Sequence, residues 1–147
     1  MDTDIIILII NALVAIITII YVVLLYETMK ISQNLNKHNI FNDIVKQERE
    51  LRIKLLEYRD IINNIKINIK KRQETKLDYD TLLFNFYEFL AICIYKGLID
   101  NDKSKIFFKS LVESVKEMFD LSLLFREGYA KQEQYKGLQW LFRKWKI

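Results

Sequence analysis

An uninterrupted apolar stretch near the start of the chain places the strongest constraint on its structure. Residues 5–26 read IIILIINALVAIITIIYVVLLY, and only Asn11 and Thr18 interrupt the aliphatic and aromatic side chains. As a helix, this stretch extends roughly 33 Å at about 1.5 Å per residue, enough to cross the roughly 30 Å hydrocarbon core of a bilayer. It is too long for a signal peptide, and acidic rather than basic residues precede it. We therefore predict a transmembrane helix over residues 1–27.

The charges on either side of this stretch predict its orientation. Lys30 and Lys37 follow it, whereas no basic residue precedes it. Because basic flanking residues stay on the cytoplasmic side of a membrane, we expect the N-terminus outside and the C-terminal domain in the cytoplasm.

Polar residues recur every seven positions along the predicted span, so they share one face of the helix. This stripe predicts an interface or a pore between copies of the chain. The alternative is that Asn11 and Thr18 bond within their own helix, with Asp4 at the lipid headgroups. Polar contacts between helices in membranes average only about 0.6 kcal/mol, so Asn11 alone would not hold an assembly together. The candidate pore or interface residues are Asp4, Asn11, Thr18 and Leu25.

The residue types that support catalysis are scarce. The chain has 1 Cys, 1 His and no Pro, and its 3 Gly stand apart at positions 97, 128 and 137. This composition excludes a disulfide framework within the chain, a four-ligand Cys/His zinc site and a glycine-rich phosphate loop. We expect no enzymatic activity, no cofactor and no metal.

Apolar residues at alternating spacings of four and three follow the predicted span. They predict a long juxtamembrane helix, similar to a coiled coil, over residues 28–72, with a break near residues 34–42 where the apolar pattern lapses. The apolar face can pack on the C-terminal helices, on other copies of the chain, or on both. Its members are Ile44, Leu51, Leu55, Tyr58, Ile62, Ile65 and Ile69, and Glu48 is the only charged residue at this spacing.

The remaining residues, 73–147, predict a small cytosolic helical domain. Thr75, Asp78 and Asp80 can cap a first apolar helix that ends at Gly97 and contains Cys93 as a buried, inert thiol. A second helix follows Asp100, Asn101 or Asp102 and continues to Gly128, and a third covers residues 129–147. The apolar face of the second helix comprises Phe108, Leu111, Val112, Val115, Met118 and Phe119. The predicted fold class is therefore all-α, a transmembrane helix continuing into a long helix and then a helical bundle.

Two groups of basic residues, the second interleaved with aromatic residues, are candidates for ligand binding. Cations bind phosphates, and bases stack on aromatic rings at about 1–3 kcal/mol each, so the pattern suits a single-stranded oligonucleotide. A solvated helix surface and contact with anionic lipid are the alternatives. The candidates are Lys66, Lys70, Lys71, Arg72 and Lys76 in the first group, and Lys131, Trp140, Arg143, Lys144 and Trp145 in the second.

Three short segments carry a resemblance to known proteins. Residues 87–91 (YEFLA), residues 97–100 (GLID) and the stretch from Trp140 to Trp145 resemble a widespread family of small bacterial membrane proteins of unknown function. The layout is also similar to that of the membrane effectors of Hailong anti-phage defence systems. That resemblance implies an oligomeric channel controlled by an oligonucleotide that a companion nucleotidyltransferase makes. It also implies that the basic residues contact phosphates and that the polar stripe faces a pore.

These observations lead to one functional hypothesis and one alternative. We expect a homo-oligomeric (for example tetrameric), single-pass effector in the bacterial inner membrane, in contact with lipid. Its cytosolic helices would bind an oligonucleotide and thereby gate an ion channel in antiviral defence. The alternative is a non-conducting membrane-anchored adaptor that binds a protein partner through its cytosolic helices.

Overall fold

The described part of the chain consists of helices joined by turns, which confirms the all-α part of the predicted fold class. The computed structural model describes the backbone of residues 3–147 and the side chains of Asn11 and residues 13–147. The helices are α1 (Thr3–Asn63), α2 (Ile69–Tyr95), α3 (Asn101–Leu121), α4 (Leu123–Arg126) and α5 (Lys136–Trp145), with a 3-10 turn at Gln132–Gln134. No strand occurs within residues 3–147. The chain divides into two units, one up to His38 and the other Asn39–Ile147.

The first unit consists of the N-terminal part of α1. From Leu13 to His38, every side chain is exposed, including Ile17 at 65% and Tyr21 at 63%. Beginning at Leu13, α1 is long and apolar enough to cross a membrane, and none of its most apolar window is buried within the chain. A continuous exposed apolar surface of this length is unfavourable in water, so its composition suits a lipid environment.

The first helical interruption lies later in the chain than the sequence predicted. Residues 34–42, where a break was expected, are helical, because the lapse in apolar spacing removes packing contacts but introduces no Gly or Pro. The break instead occurs after Asn63, so the long helix does not reach residue 72. There Asn64 accepts a hydrogen bond from the Lys66 N–H (3.0 Å), and Asn68 caps α2 by accepting one from the Lys70 N–H (2.8 Å).

The second unit has one hydrophobic core, to which α1, α2, α3 and α5 all contribute. On α1, Ile44, Leu51 and Leu55 are buried, so the apolar face of this helix packs within the chain. Ile65 and Ile69, expected on the same face, lie beyond the end of α1 and are 88% and 70% exposed. On the other helices, the largest fully buried apolar side chains are Phe84, Leu90, Phe108, Val112, Leu138 and Leu141.

The helix predicted from residue 100 to Gly128 is divided in two. Asp100 caps α3 by accepting a hydrogen bond from the Lys103 N–H (2.8 Å), and Phe108, Val112, Val115 and Phe119 form its buried face as predicted. Ser122 then takes an extended conformation and caps α4, accepting from the Leu124 N–H at 3.2 Å. Gly97 and Gly128 follow α2 and α4 with φ of +68° and +76°, the left-handed conformation that favours glycine at helix ends.

Asp80 lies in the middle of α2 and not at its start. It is fully buried, it pairs with Lys76, and it accepts a hydrogen bond of 2.6 Å from the Ser122 hydroxyl. Because Asn68 caps α2, the expected caps Thr75 and Asp80 are free for other bonds, and the Thr75 hydroxyl donates to the Lys71 carbonyl. Asp80 therefore connects α2 to the α3–α4 junction instead of beginning a helix.

Candidate anion-binding cleft

The first predicted basic group lies around the turn between α1 and α2. Lys66, Lys70 and Lys71 are exposed and form no ion pair among the described residues. Arg72 and Lys76 have structural partners. The Arg72 guanidinium donates from Nε to the Ile62 carbonyl (2.6 Å), at the open C-terminal end of α1, and Lys76 neutralises the buried Asp80. The group thus contains three exposed lysines and two cations that hold the fold together.

A cleft beside this group brings two further cations together. It has a volume of about 350 Å³ and lies between α1 and α2, where Arg52, Arg59 and Tyr79 surround Leu55 and Leu56. Arg52 and Arg59 are seven residues apart on α1, two helical turns, so they share one face of the helix. Lys76 adjoins the cleft, because its Nζ lies 5.1 Å from the centroid of the Tyr79 ring.

Arg52 is held in place by a neighbour one turn earlier. Its Nε donates to Glu48, which is only 3% exposed, whereas the Arg52 side chain is half-exposed. The hydrogen bond to Glu48 is the main reason that the pKa of Arg52 is raised above its usual value. Since a guanidinium has five N–H donors, this bond fixes its orientation and leaves four donors for a ligand.

Arg59 is the arginine of the cleft whose guanidinium is most available to a ligand. It is exposed and forms no ion pair among the described residues. Burial raises the pKa of Tyr79, as does the charge of Asp80, while the charge of Arg59 opposes them. The Tyr79 phenol therefore stays protonated at neutral pH and can donate an O–H hydrogen bond.

The chemistry of this cleft favours an anion. Two guanidinium groups and a phenol line it, and no carboxylate does. Arginine binds phosphate through paired N–H donors, more specifically than lysine does. Within the described part of the chain, no group of three His, Cys, Asp or Glu residues could hold a metal ion.

The second predicted group does not form a single site. Trp145 is only 2% exposed, and its Nε1 donates to Asn101 at 3.0 Å, so it has no ring face free to stack on a base. This corrects the predicted role of Trp145, which follows Leu138 and Leu141 on the apolar face of α5 at helical spacing. Trp140 is half-buried in a different cleft, while Lys131, Arg143 and Lys144 are exposed.

The candidate pore residues are exposed wherever their side chains are described. The Thr18 hydroxyl donates to the Val14 carbonyl at 2.8 Å, a bond within its own helix. Asn11 is exposed, and Leu25 is 44% exposed. The side chain of Asp4 lies outside the described residues. Self-association through this stripe stays a prediction.

Sequence reasoning missed the three residues that define the cleft. Arg52, Arg59 and Tyr79 do not belong to either of the two predicted basic groups. The available signal was the seven-residue spacing of two arginines next to an apolar helix face, which places both beside whichever helix packs there. The sequence does not show that Tyr79 lies opposite them, because that depends on where the turn between α1 and α2 begins.

Comparisons with known proteins place the chain in a family but add no characterised relative. No curated protein and no solved structure matches it. One family of proteins matches residues 5–145, nearly the whole length, and includes both the apolar N-terminal helix and the helical unit. On that match, the chain belongs to the family described as a domain of unknown function, DUF4760.

Proposed function

We propose that this protein is a homo-oligomeric, single-pass membrane effector whose helical unit binds an oligonucleotide and thereby controls membrane permeability. The observation that carries this proposal is that α1 supplies both the exposed apolar segment and the two arginines of the anion-binding cleft. A ligand bound to Arg52 and Arg59 therefore acts directly on the helix that would cross the membrane.

The ligand class follows from the distribution of cations. The cleft holds two guanidinium groups, and the turn that follows it along the chain adds the exposed Lys66, Lys70 and Lys71. One phosphate needs only one or two cations, whereas a series of cations suits a polyanion such as single-stranded nucleic acid. Tyr79 adds an aromatic ring at the same place.

The membrane part of the proposal rests on the composition and exposure of α1. We propose that residues 5–26 cross the bacterial inner membrane with the N-terminus outside, as the positions of Lys30 and Lys37 favour. Copies would meet through Asn11, Thr18 and Leu25, together with Asp4. The role in anti-phage defence is part of the proposal and predicts that deleting the gene increases plaque formation by phages that the host normally resists.

The ligand is tested by binding to the full chain in nanodiscs. Single-stranded DNA oligomers of increasing length are titrated at several salt concentrations against the wild type and Arg59→Glu. We expect Arg59→Glu to weaken binding by about 10-fold or more, and to reduce the salt dependence by about one phosphate contact. Arg49→Glu is the matched control, because Arg49 is an exposed arginine on α1 outside the cleft.

The outcome of this titration decides between phosphate recognition and a solvated surface. Equal affinities for the wild type and Arg59→Glu would remove the cleft from the proposal. Absence of binding at low salt would remove the oligonucleotide altogether. Binding of inorganic phosphate with the affinity of the oligomers would reduce the ligand to a single phosphate.

Permeability is tested separately by ion flux from liposomes that contain the protein, with and without the oligomer. Replacing Asn11 and Thr18 with Leu should abolish flux while cross-linking still detects the assembly, because these side chains supply the polar stripe. An adaptor would show no flux in either protein. A protein that stays monomeric at every concentration would contradict the channel.

A further inference from the structure

A second cleft lies at the other end of α2, where this helix meets the start of α5. It has a volume of about 380 Å³, within the usual range for small-molecule sites of about 300–1,000 Å³. None of its residues belongs to the anion-binding cleft. The lining residues are Glu88, Ile92, Tyr95, Lys96, Lys136, Gly137 and Trp140.

Aromatic side chains form the walls of this cleft, and the walls are partly exposed to solvent. Tyr95 and Trp140 contact each other edge to face, with ring centroids 5.3 Å apart and an interplanar angle of 80°. Tyr95 is 62% exposed and Ile92 is 41% exposed, so neither is used to fill the core. A planar apolar group that enters the cleft would cover surface that the folded chain leaves open to solvent.

The mouth of the cleft is positively charged. The Nζ atom of Lys96 lies 5.8 Å from the centroid of the Tyr95 ring, and Lys136 is exposed at the first residue of α5. Neither lysine forms an ion pair among the described residues. Both ammonium groups are thus available to a negatively charged group.

The one carboxylate in the lining forms hydrogen bonds that hold α2 and α5 together. Glu88 accepts hydrogen bonds from the backbone N–H groups of Gly137 (2.9 Å) and Leu138 (2.6 Å), which lie in the first turn of α5. A Cβ atom at position 137 would lie only 2.9 Å from a Glu88 carboxylate oxygen, so the absence of a side chain at Gly137 leaves room for the Glu88 carboxylate. Two N–H donors at the positive end of the helix stabilise the carboxylate, and it forms no ion pair with Lys96 or Lys136.

We infer that this cleft binds a small aromatic carboxylic acid. The ring would lie against Tyr95, Trp140 and Ile92, and the carboxylate would lie near Lys96 and Lys136. A monoanion fits this site better than a phosphate dianion, because the cost of removing charge from water is smaller and the lining is mainly apolar. The inference is independent of the proposed function, since it uses different residues and a different ligand.

The cleft is tested by fluorine NMR of the full chain in nanodiscs, labelled with 5-fluorotryptophan. The chain has 2 Trp, so the spectrum contains one resonance from Trp140 in the cleft and one from the buried Trp145. Trp140→Phe assigns them. Titration with 3-phenylpropionate should move the Trp140 resonance saturably, with a roughly millimolar dissociation constant, and leave the Trp145 resonance in place.

Two controls separate this site from general partitioning. The neutral analogue 3-phenylpropan-1-ol and the variant Lys96→Gln/Lys136→Gln should each bind about 5-fold more weakly. The variant Lys131→Gln/Lys144→Gln, which removes two exposed lysines elsewhere, should bind like the wild type. An immobile Trp140 resonance, equal movement of both tryptophan resonances, equal binding of the alcohol, or unchanged binding by Lys96→Gln/Lys136→Gln would each overturn the inference.

Discussion

Between Leu13 and His38 every side chain is exposed, whereas further along the same helix Ile44, Leu51 and Leu55 are buried. Both regions are helical and both are rich in aliphatic residues, but residues 5–26 contain no charged side chain, whereas the second unit contains most of the charges of the chain. The arrangement differs as well, because residues 13–26 are apolar on nearly all sides of the helix, whereas the helices of the second unit place charged faces opposite apolar ones. An all-round apolar helix needs a surrounding apolar phase, while a helix with two different faces can form its own core in water.

The largest expected effect comes from removing a buried ring. Phe84→Ala should lower the free energy of unfolding by about 3–5 kcal/mol, because Phe84 is fully buried and contacts Phe119, Phe125 and Tyr135. Urea unfolding of the full chain in detergent measures this change. Ile17→Ala, at an exposed position of α1, is the control and should leave the transition of the second unit unchanged. An equal loss in both variants would contradict the division into two units.

A charge in the apolar segment should weaken insertion into the membrane without changing the stability of the second unit. Ile17→Lys should disfavour insertion by about 3 kcal/mol, the cost of a lysine near the centre of a transmembrane helix. The measurement is the fraction of protein that resists extraction of membranes with carbonate. Ile53→Lys is the control, because Ile53 is 62% exposed on the same helix but beyond the apolar segment. Equal extraction of both variants would argue against a span at residues 5–26.

Removing the hydrogen bonds between α2 and α5 should have a smaller and more local effect on stability. Glu88→Ala should destabilise the second unit by about 1–2 kcal/mol, because it removes the acceptor for the Gly137 and Leu138 N–H groups. Hydrogen exchange at those two amides should accelerate more than at the amides of α3. Glu117→Ala, at an exposed carboxylate of α3, is the control. Unchanged exchange at residues 137 and 138 would show that the α5 N-terminus does not depend on Glu88.

The smallest expected effect is a change in how the free energy of unfolding depends on pH. Burial, followed by the charge of Glu48, raises the pKa of Tyr87 above its ordinary value of 10. Above pH 10 the unfolded chain therefore releases the Tyr87 proton while the folded chain retains it, and the free energy of unfolding falls by up to about 1.4 kcal/mol per pH unit. Tyr87→Phe should reduce this slope in denaturation at alkaline pH, with Tyr129→Phe at an exposed position as the control. An identical slope in Tyr87→Phe and the wild type would contradict the assignment.

The sequence predicted the features of the fold that depend on local pattern. The face of α3, the burial of Cys93 and the helix ends before Gly97 and Gly128 all follow from apolar periodicity and from glycine conformation. The break expected at residues 34–42 does not occur, because a lapse in apolar spacing resembles a loop in the sequence although it only marks an exposed stretch of helix. The long helix also ends earlier than the predicted residue 72.

The features that could not be predicted depend on contacts between distant residues. Asp80 resembles a helix cap until Ser122, 42 positions later, is known to donate to it. Trp145 and Trp140 look equivalent in the sequence, yet the former pairs with Asn101 and is buried, while the latter lines an open cleft. Arg59 and Tyr79 become neighbours only when the turn begins at residue 64. Charge and aromaticity in the sequence therefore did not determine which side chains would share a cleft.

The burial of Cys93 makes the protein suitable for labelling at an introduced cysteine. It is the chain's single cysteine, its side chain is 2% exposed, and burial raises the pKa of its thiol, so it reacts slowly with maleimides and other sulfhydryl reagents. A new cysteine at an exposed position such as Thr18 would then be the accessible sulfhydryl. Oxidative cross-links from that position would show whether two chains meet there, and spin-label distances would report how many chains lie side by side, without first mutating the native residue.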